Sequence, residues 1–184
     1  MLGNHALTRG YKASIYTYNL MIFDPTWFEP GVDLRRKLEL RGQFTHHVKS
    51  RLAIRQYMKL LDQGGQIHYE DMRRSLLRRF LKRGLPILTG LSSTYLYRSM
   101  RVTEDEQDDD LRGEVQGHFV VLSGYDQTTH TVHVADPYSQ NPLTGTNAYV
   151  TDLDRLIGAI LLGIITYDAN FLVIEPPVGT KGTA

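Results

Sequence analysis

Two apolar runs separated by a polar turn, GHFVVLSG (117–124) and HTVHVADP (130–137), constrain this chain more than any other feature. Each alternates with the two-residue period of a half-buried strand, and residues 125–129 between them have turn chemistry, so the pattern predicts one antiparallel hairpin. With Gly124 and His130 flanking the turn, His118 lies directly opposite Asp136. Val120, Leu122, Val132 and Val134 share that face, which places the pair at the edge of an apolar surface where a low dielectric strengthens it. Pro137 ends the second strand beside the carboxylate. A carboxylate on one imidazole nitrogen fixes the tautomer and leaves the other nitrogen free to take a proton, which is the arrangement of a general base. No thiol is available to serve as the nucleophile for such a base, because the 184 residues include no cysteine.

That absence also excludes disulfides and thiolate metal sites. The length suits one domain with a hydrophobic core, expected over residues 1–177, with a flexible tail at 178–184. A formal charge of +1 gives no global pull toward nucleic acid or an acidic membrane. No apolar run approaches the roughly 20 residues a membrane span needs. Residues 1–10 show no apolar signal core, so the expected setting is cytoplasmic. Seven histidines raise the question of a metal, but His133 has the wrong parity to share a face with Asp136, and His130 lies at the far end of its strand from His118. His46 and His47 are adjacent and diverge on a helix. Neither a metal nor a cofactor is expected.

Along the chain, residues 2–9 read as a helix closed by Gly10, and residues 11–23 as an aromatic-rich strand ending at Asp24-Pro25. Helices are predicted over 32–41, 47–62 and 69–83. The last has Met72, Leu76, Leu77, Phe80 and Leu81 on one stripe and Arg73, Arg74, Arg78, Arg79, Lys82 and Arg83 on the opposite face. That basic face reads as solvated and charge-compensated, since no aromatic residues interleave with it as on a single-strand binding surface. Residues 85–91 form a buried strand, Ser92 or Ser93 caps a short helix through Met100, and 104–110 is an acidic loop expected to be disordered or a mobile flap. After the hairpin, 138–146 has turn chemistry, 152–162 is helical, and 170–175 is a last strand before Pro176-Pro177. Tyr11, Tyr16, Tyr18, Trp27 and Phe28 read as core ahead of a cleft lining.

The segments GHFVVLSGYD (117–126) and VADPY (134–138) resemble the His and Asp blocks of the bacteriocin-processing, double-glycine leader peptidases, a family of papain-like cysteine peptidases. GLPILTG (84–90) is similar to the strand that leads toward those blocks. Residues 11–28 and 149–176 look more like uncharacterised bacterial relatives than the transporter-linked members.

The resemblance implies an α+β, papain-like fold, with a twisted antiparallel sheet packed against helices drawn mostly from the first half of the chain. It also implies a peptide or protein substrate and amide hydrolysis through an acyl-enzyme. In that scheme a cysteine at the start of an upstream helix attacks, His118 is the base and then the acid, Asp136 orients it, and a Gln before the cysteine helps form the oxyanion hole. Here the cysteine and the Gln are both missing, and the order of the blocks points to N-terminal truncation and a chain inactive as given. Ser92, Ser93 and Thr94 are better explained by helix capping than as replacement nucleophiles. The competing expectation is a noncatalytic peptide- or protein-binding module on the same fold.

Overall fold

The computed structural model describes residues 1–166 and 169–177; the predicted tail at 178–184 lies outside them. Among the described residues are six α-helices and seven strands, an α+β arrangement. The chain forms two compact units, one from residues 1–70 with the segment from 172 onward, the other from residues 71–171.

In the first unit, α1 (Leu2–Thr8) ends at Gly10, whose φ of +82° suits glycine, and leads into β1 (Lys12–Thr17). The predicted strand over 11–23 stops short because Asn19 folds the chain back. Its side chain accepts from the Met21 amide at 3.1 Å, and its carbonyl from the Ile22 and Phe23 amides. Asp24 then caps a 3-10 turn, Pro25–Phe28, by accepting from the Thr26 amide at 2.9 Å. α2 (Leu34–Phe44), capped by Asp33, packs on α3 (Val48–Asp62), which buries Ile54, Tyr57 and Leu60. β2 (Gln66–His68), a strand the sequence does not announce, pairs in parallel with β1. Tyr16 and Tyr18 are buried in this unit as expected, whereas Tyr11 is exposed.

In the second unit, α4 covers only Arg74–Leu81. The predicted first turns, from residue 69, are not helical, and the Tyr69 ring packs on Phe28 and Tyr18 instead. Leu76, Leu77, Phe80 and Leu81 are buried, as their helical spacing requires. β3 (Ile87–Ser92), β4 (Gly117–Asp126), β5 (Thr131–Ala135) and β6 (Ala148–Asp152) form consecutive antiparallel pairs. Helices α4, α5 (Ser93–Tyr97) and α6 (Leu153–Leu162) pack on these strands. Of the six helices, α1 to α4 come from the first half of the chain, as expected. β7 (Asn170–Glu175) returns the chain to the first unit.

The hairpin forms, with a different register from the simple one. β4 runs on to Asp126, and the turn is residues 127–130, closed by the Asp126 carboxylate on the Thr128 and Thr129 amides and by His130 at φ +57°. From the tip, Asp126 pairs with Thr131, Tyr125 with Val132 and Gly124 with His133; beyond a bulge at Ser123, Leu122 pairs with Val134 and Val121 with Ala135. The extra residue keeps the apolar face continuous, since Val120, Leu122, Val132 and Val134 are all essentially inaccessible. It also governs the site. Continuing the inner register sets Asp136 beside Val120, one diagonal step from His118 and on its face. The tip register, carried through without a bulge, would put Asp136 on the opposite face.

Candidate active site

His118 and Asp136 meet at the end of this buried face, as diagonal neighbours rather than the directly opposed pair expected from a bulge-free hairpin. The imidazole Nε2 lies 2.8 Å from Asp136 Oδ1. The carboxylate is wholly buried, while the histidine side chain keeps about a quarter of its surface exposed. Asp136 Oδ1 also accepts from the Tyr138 amide at 2.8 Å. Oδ2 accepts from the Tyr97 hydroxyl at 2.6 Å and the Tyr149 hydroxyl at 2.9 Å. Four donors therefore saturate one buried carboxylate.

Each donor is placed by local structure. β3 pairs with β4, so Leu91 faces His118 and Ser92 faces Gly117; the chain then turns directly into α5, which brings Tyr97 back over the carboxylate. Ser92 caps that helix, accepting from the Tyr95 amide, and Arg98 ends it in the left-handed conformation at φ +56°. Tyr149 lies on β6 opposite Val134 and so points to the same face. The Asp136 backbone is clamped to Asn147, whose carbonyl accepts from the Asp136 amide and whose side-chain amide donates to the Asp136 carbonyl, both at 2.8 Å. Asn141, buried in the intervening loop, donates to the Tyr138 and Thr146 carbonyls and accepts from the Leu143 and Thr144 amides. This fixes the turn that carries the Tyr138 amide.

Burial pushes the Asp136 carboxyl upward, but the hydrogen bonds from Tyr97, His118, the Tyr138 amide and Tyr149 outweigh it and hold the group below the ordinary carboxylate value. Burial, and then donation to Asp136, drives the Tyr97 and Tyr149 hydroxyls well upward, so both stay neutral donors. An ionised Asp136 can only accept, and Nε2 of a neutral His118 must carry the hydrogen. The Nδ1 lone pair is left to take a proton. The rings of Tyr97 and Tyr138 lie 6.2 and 6.4 Å from that of His118 by centroid, Tyr138 edge-on.

The other candidates fall outside this cluster. Ser93 Oγ donates to the Gln116 carbonyl and Thr94 Oγ1 accepts from the Gln116 amide, so these side chains, with the Ser92 cap, tie α5 to the sheet. His130 contacts the Tyr125 hydroxyl at 3.0 Å, and His133 is exposed. No group of three His, Asp or Glu residues positioned for a metal occurs among the described residues. On the basic helix, Arg74 pairs with Asp154 and Arg73 with Asp71, while Arg78 lies over the Tyr125 ring. The acidic segment, expected as disorder or a flap, is a closed loop. Val102 bridges to Asp108 and Glu114, and Asp109 accepts from the Leu111 and Arg112 amides. Sequence reasoning missed Tyr97, Tyr149 and Asn147; the alternation in residues 148–151 is the one signal that could have revealed Tyr149.

Comparison with known proteins agrees with this architecture. The description "Peptidase_C39 like family" matches residues 42–152, a span that contains His118, Asp136, Tyr97, Tyr138 and Tyr149. No curated protein and no solved structure matches the chain. The matched span exceeds half of the sequence, and its α+β strands and helices are those of a papain-like, cysteine-peptidase-like domain; the chain belongs to the Peptidase_C39 like family.

Proposed function

We propose that this domain is the base-bearing part of a peptide-cleaving site, in which His118 accepts a proton at Nδ1 from a thiol and later returns it to the leaving amine, while Asp136 orients the ring. The observation that carries the reading is the 2.8 Å contact of Nε2, rather than Nδ1, with a buried and fully hydrogen-bonded carboxylate. As no residue of the sequence is a cysteine, the thiol comes from outside these 184 residues, from an upstream segment or a partner chain. The chain by itself then holds the pair without turnover. The double-glycine leader peptidases are the group this reading resembles, with a leader peptide as the substrate.

The missing thiol favours one second reading, a noncatalytic module that holds a peptide beside His118. Two measurements separate the readings. The first is the intact mass and N-terminal sequence of the protein from its native cells. The second is peptide cleavage by that native form with and without His118→Ala. A longer form carrying a cysteine, whose cleavage is abolished by the substitution, supports the peptidase reading. Cleavage indifferent to His118 removes it, and a native form without a thiol that still binds peptide gives the lead to the binding module.

A further inference from the structure

We propose that Tyr97 and Tyr149 are positioning residues that act through Asp136, their two hydroxyls gripping Oδ2 so that Oδ1 alone faces His118 and the carboxylate stays a full negative charge. The inference rests on the reading of His118 as a base and assigns that base its supporting shell.

Three features of the geometry point this way. The donors are divided by oxygen: both tyrosines go to Oδ2, at 2.6 and 2.9 Å, while His118 and the Tyr138 amide go to Oδ1. A carboxylate held from both ends cannot rotate to offer His118 a different lone pair, so the ring plane is fixed along with the tautomer. The grip also comes from two separate elements, since α5 carries Tyr97 and β6 carries Tyr149.

The third feature is electrostatic. A buried carboxylate needs strong partners, and an arginine or lysine would supply them while cancelling the charge. Hydroxyl dipoles stabilise the anion and leave its charge in place. When His118 takes up a proton, the imidazolium meets a carboxylate whose charge no cation has cancelled. Phenylalanine at either position would fill the same space, so a purely packing role would not need the hydroxyls.

The test is an NMR titration of the full chain, reading the His118 ring in the unsubstituted protein, Tyr97→Phe, Tyr149→Phe and the double variant, with Tyr125→Phe as a distant control. The ring signals should show an acidic inflection caused by titration of Asp136. The inflection moves to higher pH in each single variant and further in the double. Solvent exchange of the His118 Nε2 proton accelerates about tenfold per hydroxyl removed, the size expected for one lost hydrogen bond to a charged acceptor. A folded double variant with an unmoved inflection and unchanged exchange overturns the proposal, as does an equal effect from Tyr125→Phe. Should the double variant fail to fold, the unsubstituted chain decides. Two tyrosine hydroxyl protons shielded from water and correlated with the Asp136 carboxylate support the grip, and hydroxyls in free exchange overturn it. None of these readouts needs cleavage, so an inflection that moves while cleavage ignores His118 upholds the grip and overturns only the peptidase reading.

Discussion

Replacing Asp136 by asparagine keeps the shape of the side chain and removes its charge, and the structure sets the size of the consequence. Four donors converge on the carboxylate: His118 Nε2, the Tyr138 amide and the hydroxyls of Tyr97 and Tyr149. With the asparagine oxygen in the place of Oδ1, His118 and Tyr138 keep an acceptor, while the new amide nitrogen meets two hydroxyls that must rotate to accept. Hydrogen bonds to a charged group contribute about 1.5–3 kcal/mol each and neutral ones about 0.5–1.5, so the exchange forfeits roughly 4 kcal/mol gross. Relief from burying a charge returns a few kcal/mol, leaving a net loss of about 1–3 kcal/mol at neutral pH.

The loss must also depend on pH. The folded-state carboxyl of Asp136 titrates below the ordinary 3.8. Its contribution is therefore fully present above that value and disappears as pH falls through the lowered folded value. Asparagine has no such titration. Urea denaturation at neutral pH should show Asp136→Asn with its midpoint lowered by about 0.5–1.5 M at an unchanged slope of about 2 kcal/mol/M. The gap between the two proteins should narrow in acid. Equal stability at neutral pH, or a gap that widens on acidification, would refute the reasoning.

Deleting Ser123 removes the extra residue, so the pair Gly124 and His133 runs straight on to Leu122 and Val134 in one unbroken ladder, and His118 and Asp136 keep their shared face. The expected result is a chain with near-native far-UV circular dichroism whose His118 Nε2 proton stays protected, and lost protection would show that the pairing depends on more than the inner register. A Cβ on Gly113 would lie 2.6 Å from the Arg101 carbonyl carbon and the Asp109 oxygen and 2.7 Å from the Val102 nitrogen. Gly113→Ala should therefore open the acidic loop, with the Val102 and Glu114 amides exchanging at least about tenfold faster than in the parent and His118 unaffected. Unchanged exchange at those two amides would contradict the close approach.

The hairpin, its inward apolar face and the meeting of His118 with Asp136 were legible because a two-residue period survives averaging over a whole strand. The bulge was not, since one extra residue leaves no compositional mark and Ser123-Gly124 reads equally well as the start of a turn. The pair was thus right in membership and wrong in register. Tyr149 was hidden because β6 is five residues long and follows a loop full of turn residues, so residues 138–152 carried no clear boundary between them. Tyr97 sits on a helix that was expected, but its partner lies 39 residues away and only the tertiary fold joins them. The same limit shortened α4, where Tyr69 joins an aromatic cluster in the other unit and not the helix its spacing suggested. Local periodicity identified the elements, whereas the oxygen-by-oxygen division of donors on Asp136 belongs to packing.

The central claim is that His118 is held with its proton on Nε2 and its lone pair on Nδ1. The ring nitrogen shifts of isotope-labelled protein test this most directly, recorded above the pH at which the imidazole is neutral. The account predicts a pyrrole-type Nε2 bearing a solvent-protected proton correlated with Asp136, beside a pyridine-type Nδ1. An Nδ1–H tautomer, or two nitrogens averaged by fast exchange, would contradict it.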